Sequence, residues 1–168
     1  MEAEVQFREA VRIDPNFGKA RHNLARLLAI KGKLDEAAWQ LENAARVQPN
    51  DVATRITYAT VLYTQVANDA ALQHANAAVN IKPDSPEAHH FRGNVLERKK
   101  NVKEAAREYG EAVRLDPTNA RAQLDLGAVL ADSGQKEQAL THLKQAAQSD
   151  QPDIRGIAQR LLTKLGLE

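Results

Sequence analysis

The chain has 168 residues, 23 Lys and Arg against 22 Asp and Glu, a net charge of +1, five histidines and no cysteine. So balanced a charge gives no overall field for nucleic acid or an anionic membrane, and without cysteine there is no disulfide, thiol nucleophile or cysteine–zinc site. No stretch nears the roughly 20 apolar residues of a membrane span. The start, with Glu2 and Glu4, lacks a basic-then-apolar export signal, so a soluble chain is expected, the cytoplasm favoured and the compartment otherwise open.

Prolines recur at Pro15, Pro49, Pro83 and Pro117, each 34 residues after the last. The residues between them fall into register too: Ala25, Ala59, Gly93, Gly127; Leu28, Leu62, Leu96, Leu130; Ala37, Ala71, Ala105, Ala139; Ala44, Ala78, Ala112, Ala146. The chain is therefore an array of one repeated unit.

In chain order, residues 1–17 hold only the second helix of a unit, Ala3, Phe7, Ala10 and Pro15 matching Ala37, Leu41, Ala44 and Pro49. With no first helix before it, the face carrying Ala3 and Phe7 is expected to be bare, which points to a fragment of a longer array or to a self-association surface, and so to a homo-oligomer through this half-unit. Four full units follow, 18–51, 52–85, 86–119 and 120–152. Each is entered through a polar residue after a proline, Asn16, Asn50, Asp84 or Thr118, expected to cap the first helix. That helix runs about fourteen residues with apolar side chains at helical spacing, as in Leu24, Leu27 and Leu28. Gly32 and Gly134 can then take the left-handed conformation that ends it. A second helix follows, Leu34 to Val47 in the first full unit, until a proline stops it. In 52–85, Val66 stands in place of the turn glycine and Ala75 in place of a large residue, and Tyr58 is expected to fill the lost volume. Finally, 153–168 reads as a capping helix, with Ile154, Ile157, Ala158, Leu161, Leu162 and Leu165 on one face and Arg155, Gln159, Arg160 and Lys164 on the other.

The chain resembles the tetratricopeptide-repeat family over all four units. The pattern is carried by Leu24-Ala25, Leu28, Gly32, Ala37, Leu41, Ala44 and Pro49 in the first, by Gly93, Leu96, Ala105, Tyr109, Ala112 and Pro117 in the third, and by Leu126-Gly127, Leu130, Gly134, Ala139, Leu143 and Ala146 in the fourth. The resemblance implies an all-α fold, an alpha-alpha superhelix of antiparallel helix pairs stacked as one solenoid domain. It also implies a protein or peptide partner in a concave groove lined by the first helices. Carried onto this sequence, the lining is Lys19, His22, Arg26 and Ala29; Ala53, Ile56, Thr60 and Tyr63; Glu87, His90, Asn94 and Glu97; Arg121, Leu124, Ala128 and Ala131. The groove is then basic, apolar, acidic-polar and small-apolar in succession.

Two specialised subtypes do not fit. The chaperone-tail binders need lysine, asparagine and arginine where this chain has His22, Arg26, Thr57, Glu87 and Phe91. The asparagine ladder of O-linked N-acetylglucosamine transferases is reduced to Asn23 followed by Thr57, Phe91 and Asp125.

Nothing here calls for catalysis, a metal or a cofactor. His89 and His90 point about 100° apart on a helix and cannot chelate one ion. His22 and His90 lie two units apart, His74 and His142 sit on second helices, and no phosphate loop or nucleophile elbow is present. Trp39 belongs to a second-helix column with Gln73, Arg107 and Thr141. It is expected partly exposed on the convex side, where it either covers a neighbouring helix, the commoner fate, or anchors a second partner. The function read from the chain is a protein-binding scaffold holding a peptide or partner segment in the groove. The alternative is an oligomerisation or spacer module of a larger protein.

Overall fold

A proline after each second helix forces a turn, and the turn sets where the next helix starts. The computed structural model describes residues 2–166. Met1, Leu167 and Glu168, which the expected ranges 1–17 and 153–168 include, lie outside them. The described residues form ten α-helices and no strand. They divide into two compact units, Met1–Pro83 and Asp84–Glu168.

The first unit contains α1 (Glu2–Ile13), α2 (Gly18–Ile30), α3 (Leu34–Val47), α4 (Val52–Thr64) and α5 (Asn68–Ile81). Helices α2 and α3 pair, α4 and α5 pair, α3 packs on α4, and α1 packs on α2. The second unit contains α6 (Pro86–Arg98), α7 (Val102–Leu115), α8 (Ala120–Asp132), α9 (Lys136–Ala146) and α10 (Pro152–Leu165). Here α6 pairs with α7 and α8 with α9, α7 packs on α8, and α10 lies on both α8 and α9.

Within each pair, backbones meet at the small-residue columns, and the two facing columns trade size. Ala25 lies in a core with Leu41, both fully buried. A methyl added at Gly93 would stand 2.6 Å from the ring of Tyr109, and one at Gly127 would stand 2.7 Å from Leu143. Glycine is therefore favoured at these two positions, where the partner's large side chain lies that close, whereas alanine is accommodated with Leu41 at Ala25. Ala59 and Ala75, also buried, are the slimmest combination. Tyr58 lies over the ring of His74, with centroids 4.2 Å apart, and against the core of the first pair.

All four pairs close with one turn. The amides of Lys33, Ala67, Asn101 and Gln135 each donate, at 2.9 Å, to the carbonyl five residues earlier, the six-to-one bond of a Schellman motif. That bond demands a left-handed residue before it. Gly32 (φ 75°) and Gly134 (φ 79°) take the conformation freely, whereas Val66 (φ 64°) and Lys100 (φ 65°) are driven into it.

The helix caps fall one residue later than the sequence suggested. Asp51, Ser85 and Asn119 accept from the amides of Thr54, Ala88 and Ala122. The turn consumes the first residue after the proline. Where an aspartate precedes that proline, its carboxylate takes the turn amide: Asp14 accepts from Asn16 N and Asp116 from Thr118 N. Phe17 opens α2 with no side-chain cap.

The ends differ in burial. No α1 residue is fully buried; Ala3 is exposed, but Phe7, expected to protrude, is half-buried against the core of α2 and α3. In α10, Ile154, Ala158 and Leu162 are buried, while Leu161, expected beside them, is half-buried because successive helical residues point about 100° apart.

Two predictions follow from strain and from docking. A left-handed β-branched residue costs roughly 1–2 kcal/mol, so Val66→Gly should raise the unfolding free energy obtained from urea titration by up to about that much, offset in part by glycine's entropy, while Gly32→Val should lower it. Leu162→Ala should cost about 2–5 kcal/mol and Arg160→Ala, an exposed site, almost nothing; equal small losses in thermal melts would mean that α10 is not docked.

Candidate functional site

On the first-helix face of the first unit, Lys19 and Arg26 are exposed, stand two turns apart on α2, and make no ion pair among the described residues. His22, between them, is engaged instead. Its Nδ1 donates to the Thr54 hydroxyl of α4 at 3.2 Å, and that hydroxyl in turn donates to Asp51. Burial holds His22 below its ordinary value, Asp51 opposes and Arg26 reinforces. The neutral ring thus ties α2 to α4, and the positive charge of this face rests on Lys19 and Arg26. Ile56 and Tyr63 are half-buried; Thr60 is exposed, with its hydroxyl turned back onto the Ile56 carbonyl at 2.8 Å.

In the second unit the corresponding residues join into a network. His90 Nε2 lies 2.8 Å from Asp125 of α8, which also accepts from Arg121 at 3.3 Å. The hydroxyl of buried Tyr109, from α7, shares its proton between Asn94 Oδ1 at 2.8 Å and Glu97 Oε2 at 2.6 Å. Glu87 is exposed and accepts from the Ser85 hydroxyl. Leu124, expected on the lining, is only 3% exposed and belongs to the core.

A second set of polar contacts runs between the helices of each pair and escaped the sequence reading. Arg21 donates to the Pro15 carbonyl and to Gln40 Oε1, both at 2.7 Å. One repeat on, Arg55 donates to the Pro49 carbonyl at 3.0 Å and to His74 Nδ1 at 3.4 Å. Gln123 donates to the Pro117 carbonyl at 3.0 Å and accepts from His142 Nδ1 at 2.7 Å. In the remaining pair His89 Nδ1 donates to Glu108 at 2.8 Å, and Arg92 reaches the same oxygen at 2.5 Å. Burial alone would push the Glu108 carboxyl up; the bonds from Arg92 and His89 outweigh it and hold it below the usual range. The signal available in the sequence was polarity at matching positions, 21, 55, 89 and 123 against 40, 74, 108 and 142.

These contacts assign three histidines to the scaffold, His74, His89 and His142. Among the described residues no group of three or more His, Asp or Glu is placed to hold a metal, and no helix is long and apolar enough to cross a membrane.

Models of the tetratricopeptide repeat match residues 7–38 and 96–165, and one of them matches twice, over 24–86 and 59–120, more than half of the chain. The chain belongs to the tetratricopeptide-repeat family. No curated protein sequence matches it. Solved tetratricopeptide-like structures share its fold at low identity. MamA from Desulfovibrio magneticus RS-1 superposes with a TM-score of 0.77 at 18% identity, covering 95% of this chain and 85% of that one. Pseudomonas aeruginosa PilF gives 0.86 at 19%, covering 99% and 77%. YrrB, described as a TPR protein with an unusual peptide-binding site, gives 0.75 at 18%, covering 96% and 84%.

The histidine contacts of this tetratricopeptide array make its stability depend on pH. His22, His74 and His142 are all held below the ordinary 6.5, in each case first by burial, with the Arg55 charge adding to it at His74. The unfolded chain therefore binds more protons than the folded one below pH 6.5, and stability, complete above that value, falls as the pH drops. Urea midpoints at pH 7.5 and 5.0 should show the loss, and His74→Gln, which keeps an acceptor for Arg55, should make the acid limb shallower.

Proposed function

We propose that the protein is a non-catalytic scaffold that binds a segment of a partner protein along the first-helix face of its tetratricopeptide repeats. The observation that carries this reading is the pair of unpartnered cations Lys19 and Arg26 on α2, beside the half-buried apolar side chains Ile56 and Tyr63 on α4. Surface cations of a structural face are commonly neutralised locally, as Arg8, Arg12 and Arg114 are here. Two left open next to an apolar surface suit a segment with acidic side chains followed by a bulky apolar one. In the second unit, exposed Glu87 and Glu97 with the fixed amide of Asn94 suit a basic side chain and the backbone around it. The family resemblance, and the peptide-binding site reported for YrrB, support the same reading.

Rim charges set association rate and salt sensitivity, while a central apolar anchor sets residence time. Segments selected on this protein from a displayed random-peptide library should include an acidic-apolar class that binds this face. Against that class, Arg26→Glu should slow association about tenfold at low salt, and Tyr63→Ala should speed dissociation about tenfold. Unchanged kinetics in both variants, measured by surface binding, would remove the site from this face.

A further inference from the structure

We infer that the opposite, second-helix side of the first unit carries a separate docking surface, centred on Trp39, for a partner segment that combines a bulky apolar side chain with a lysine or arginine.

The indole of Trp39 is only partly covered by its neighbours. It is 55% exposed on α3, at a shallow groove of about 380 Å³ that Arg8 of α1 lines together with Asp35, Glu36 and Gln40 of α3. One ring contact is internal. The Arg21 guanidinium sits 5.3 Å from the ring centroid and is itself fixed by the Pro15 carbonyl and Gln40. A cation anchored on both sides holds the indole in place by cation–π attraction, so little rotamer freedom remains to be lost when a partner covers it. An exposed, pre-oriented tryptophan is the kind of residue that carries binding energy at an interface.

The rim states the charge of the partner. Arg8 is already taken up by Glu4 and Glu36, at 3.0 and 2.9 Å. Asp35 accepts from the neutral amide of Gln65 and makes no ion pair among the described residues. Glu36 is shared between Arg8 and Lys33, so the carboxylate left open on the lining beside the indole is that of Asp35. Val5, 66% exposed and one turn before Arg8 on α1, adds apolar surface on the same helix face. An apolar side chain lying on Trp39, with a basic neighbour reaching Asp35, answers both features. The first-helix face of this unit, with Lys19 and Arg26, selects the opposite charge, so the two surfaces are addressed to different segments.

The chain has one tryptophan, so its fluorescence reports this surface alone. Peptides from a displayed random 12-residue library, selected on the whole chain, are sorted a second time on Trp39→Ala. A class that loses at least about tenfold in affinity with that variant is expected to be enriched in Arg or Lys next to Leu, Ile or Phe. Members of that class should shift the Trp39 emission to the blue, weaken further with salt, lose affinity with Asp35→Lys, and be indifferent to Arg26→Glu and Tyr63→Ala. If no selected peptide depends on Trp39, or if the dependent class is acidic or insensitive to Asp35→Lys, the inference is overturned. Peptides lost with Arg26→Glu or Tyr63→Ala test the first-helix face independently, so either surface can fail without the other.

Discussion

The proline that ends a second helix creates a problem of its own: its carbonyl sits at a helix end and needs a donor. In three of the repeats one side chain on the next first helix supplies that donor and also bonds across to the second helix of its own pair. Arg21, Arg55 and Gln123 do this for Pro15, Pro49 and Pro117. Such a bond contributes roughly 1.5–3 kcal/mol from the charged arginines and about 1 kcal/mol from the neutral Gln123, and its loss strands a polar group that had been paired. The turn, the entry of the first helix and the placement of the second helix are thus fixed together by a single side chain. The apolar columns supply most of the driving force; this bridge decides where each helix pair is held.

Most of the architecture was legible because it rests on positions where only one kind of residue works. A proline stops a helix, a left-handed turn favours glycine, and a close backbone approach needs alanine or glycine, so these recur visibly every 34 residues. The caps were misplaced by one residue because two adjacent polar residues, such as Asn50 and Asp51, both fit a capping role, and only the turn geometry chooses between them. The polar bridges were missed for a different reason. Their chemistry changes at every repeat, Arg with Gln, Arg with His, His with Glu, Gln with His, so neither column shows one residue type although the pair always holds a donor facing an acceptor. Burial was also poorly legible at the edges of a helical stripe, which is why Leu124 reads as lining and packs as core.

The candidate surfaces show the same division. The placing of the expected lining on first helices was what the family resemblance implied. Its electrostatics were not legible there, because neighbours the pattern does not mark remove some charges and leave others. His22 is spent on Thr54, and His90 and Arg121 both bond to Asp125, whereas Lys19 and Arg26 stay available. Tyr109, a core residue by position, sends its hydroxyl through to Asn94 and Glu97, so the packing of the helix pair sets the orientation of surface side chains.

The reach of the polar bridge also defines a natural cutting point in the chain. Measured from the proline, the bridging side chain lies 6 residues on and its second-helix partner 25 on, so segments beginning at Pro15, Pro49 or Pro117 carry the bridging side chain and both of its partners together. A segment cut at the turn after the first helix separates them. Gene duplication or recombination joined at the prolines would hand each copy its own complete set of polar partners, free to drift as a pair, which is the state in which the four mismatched pairs are found.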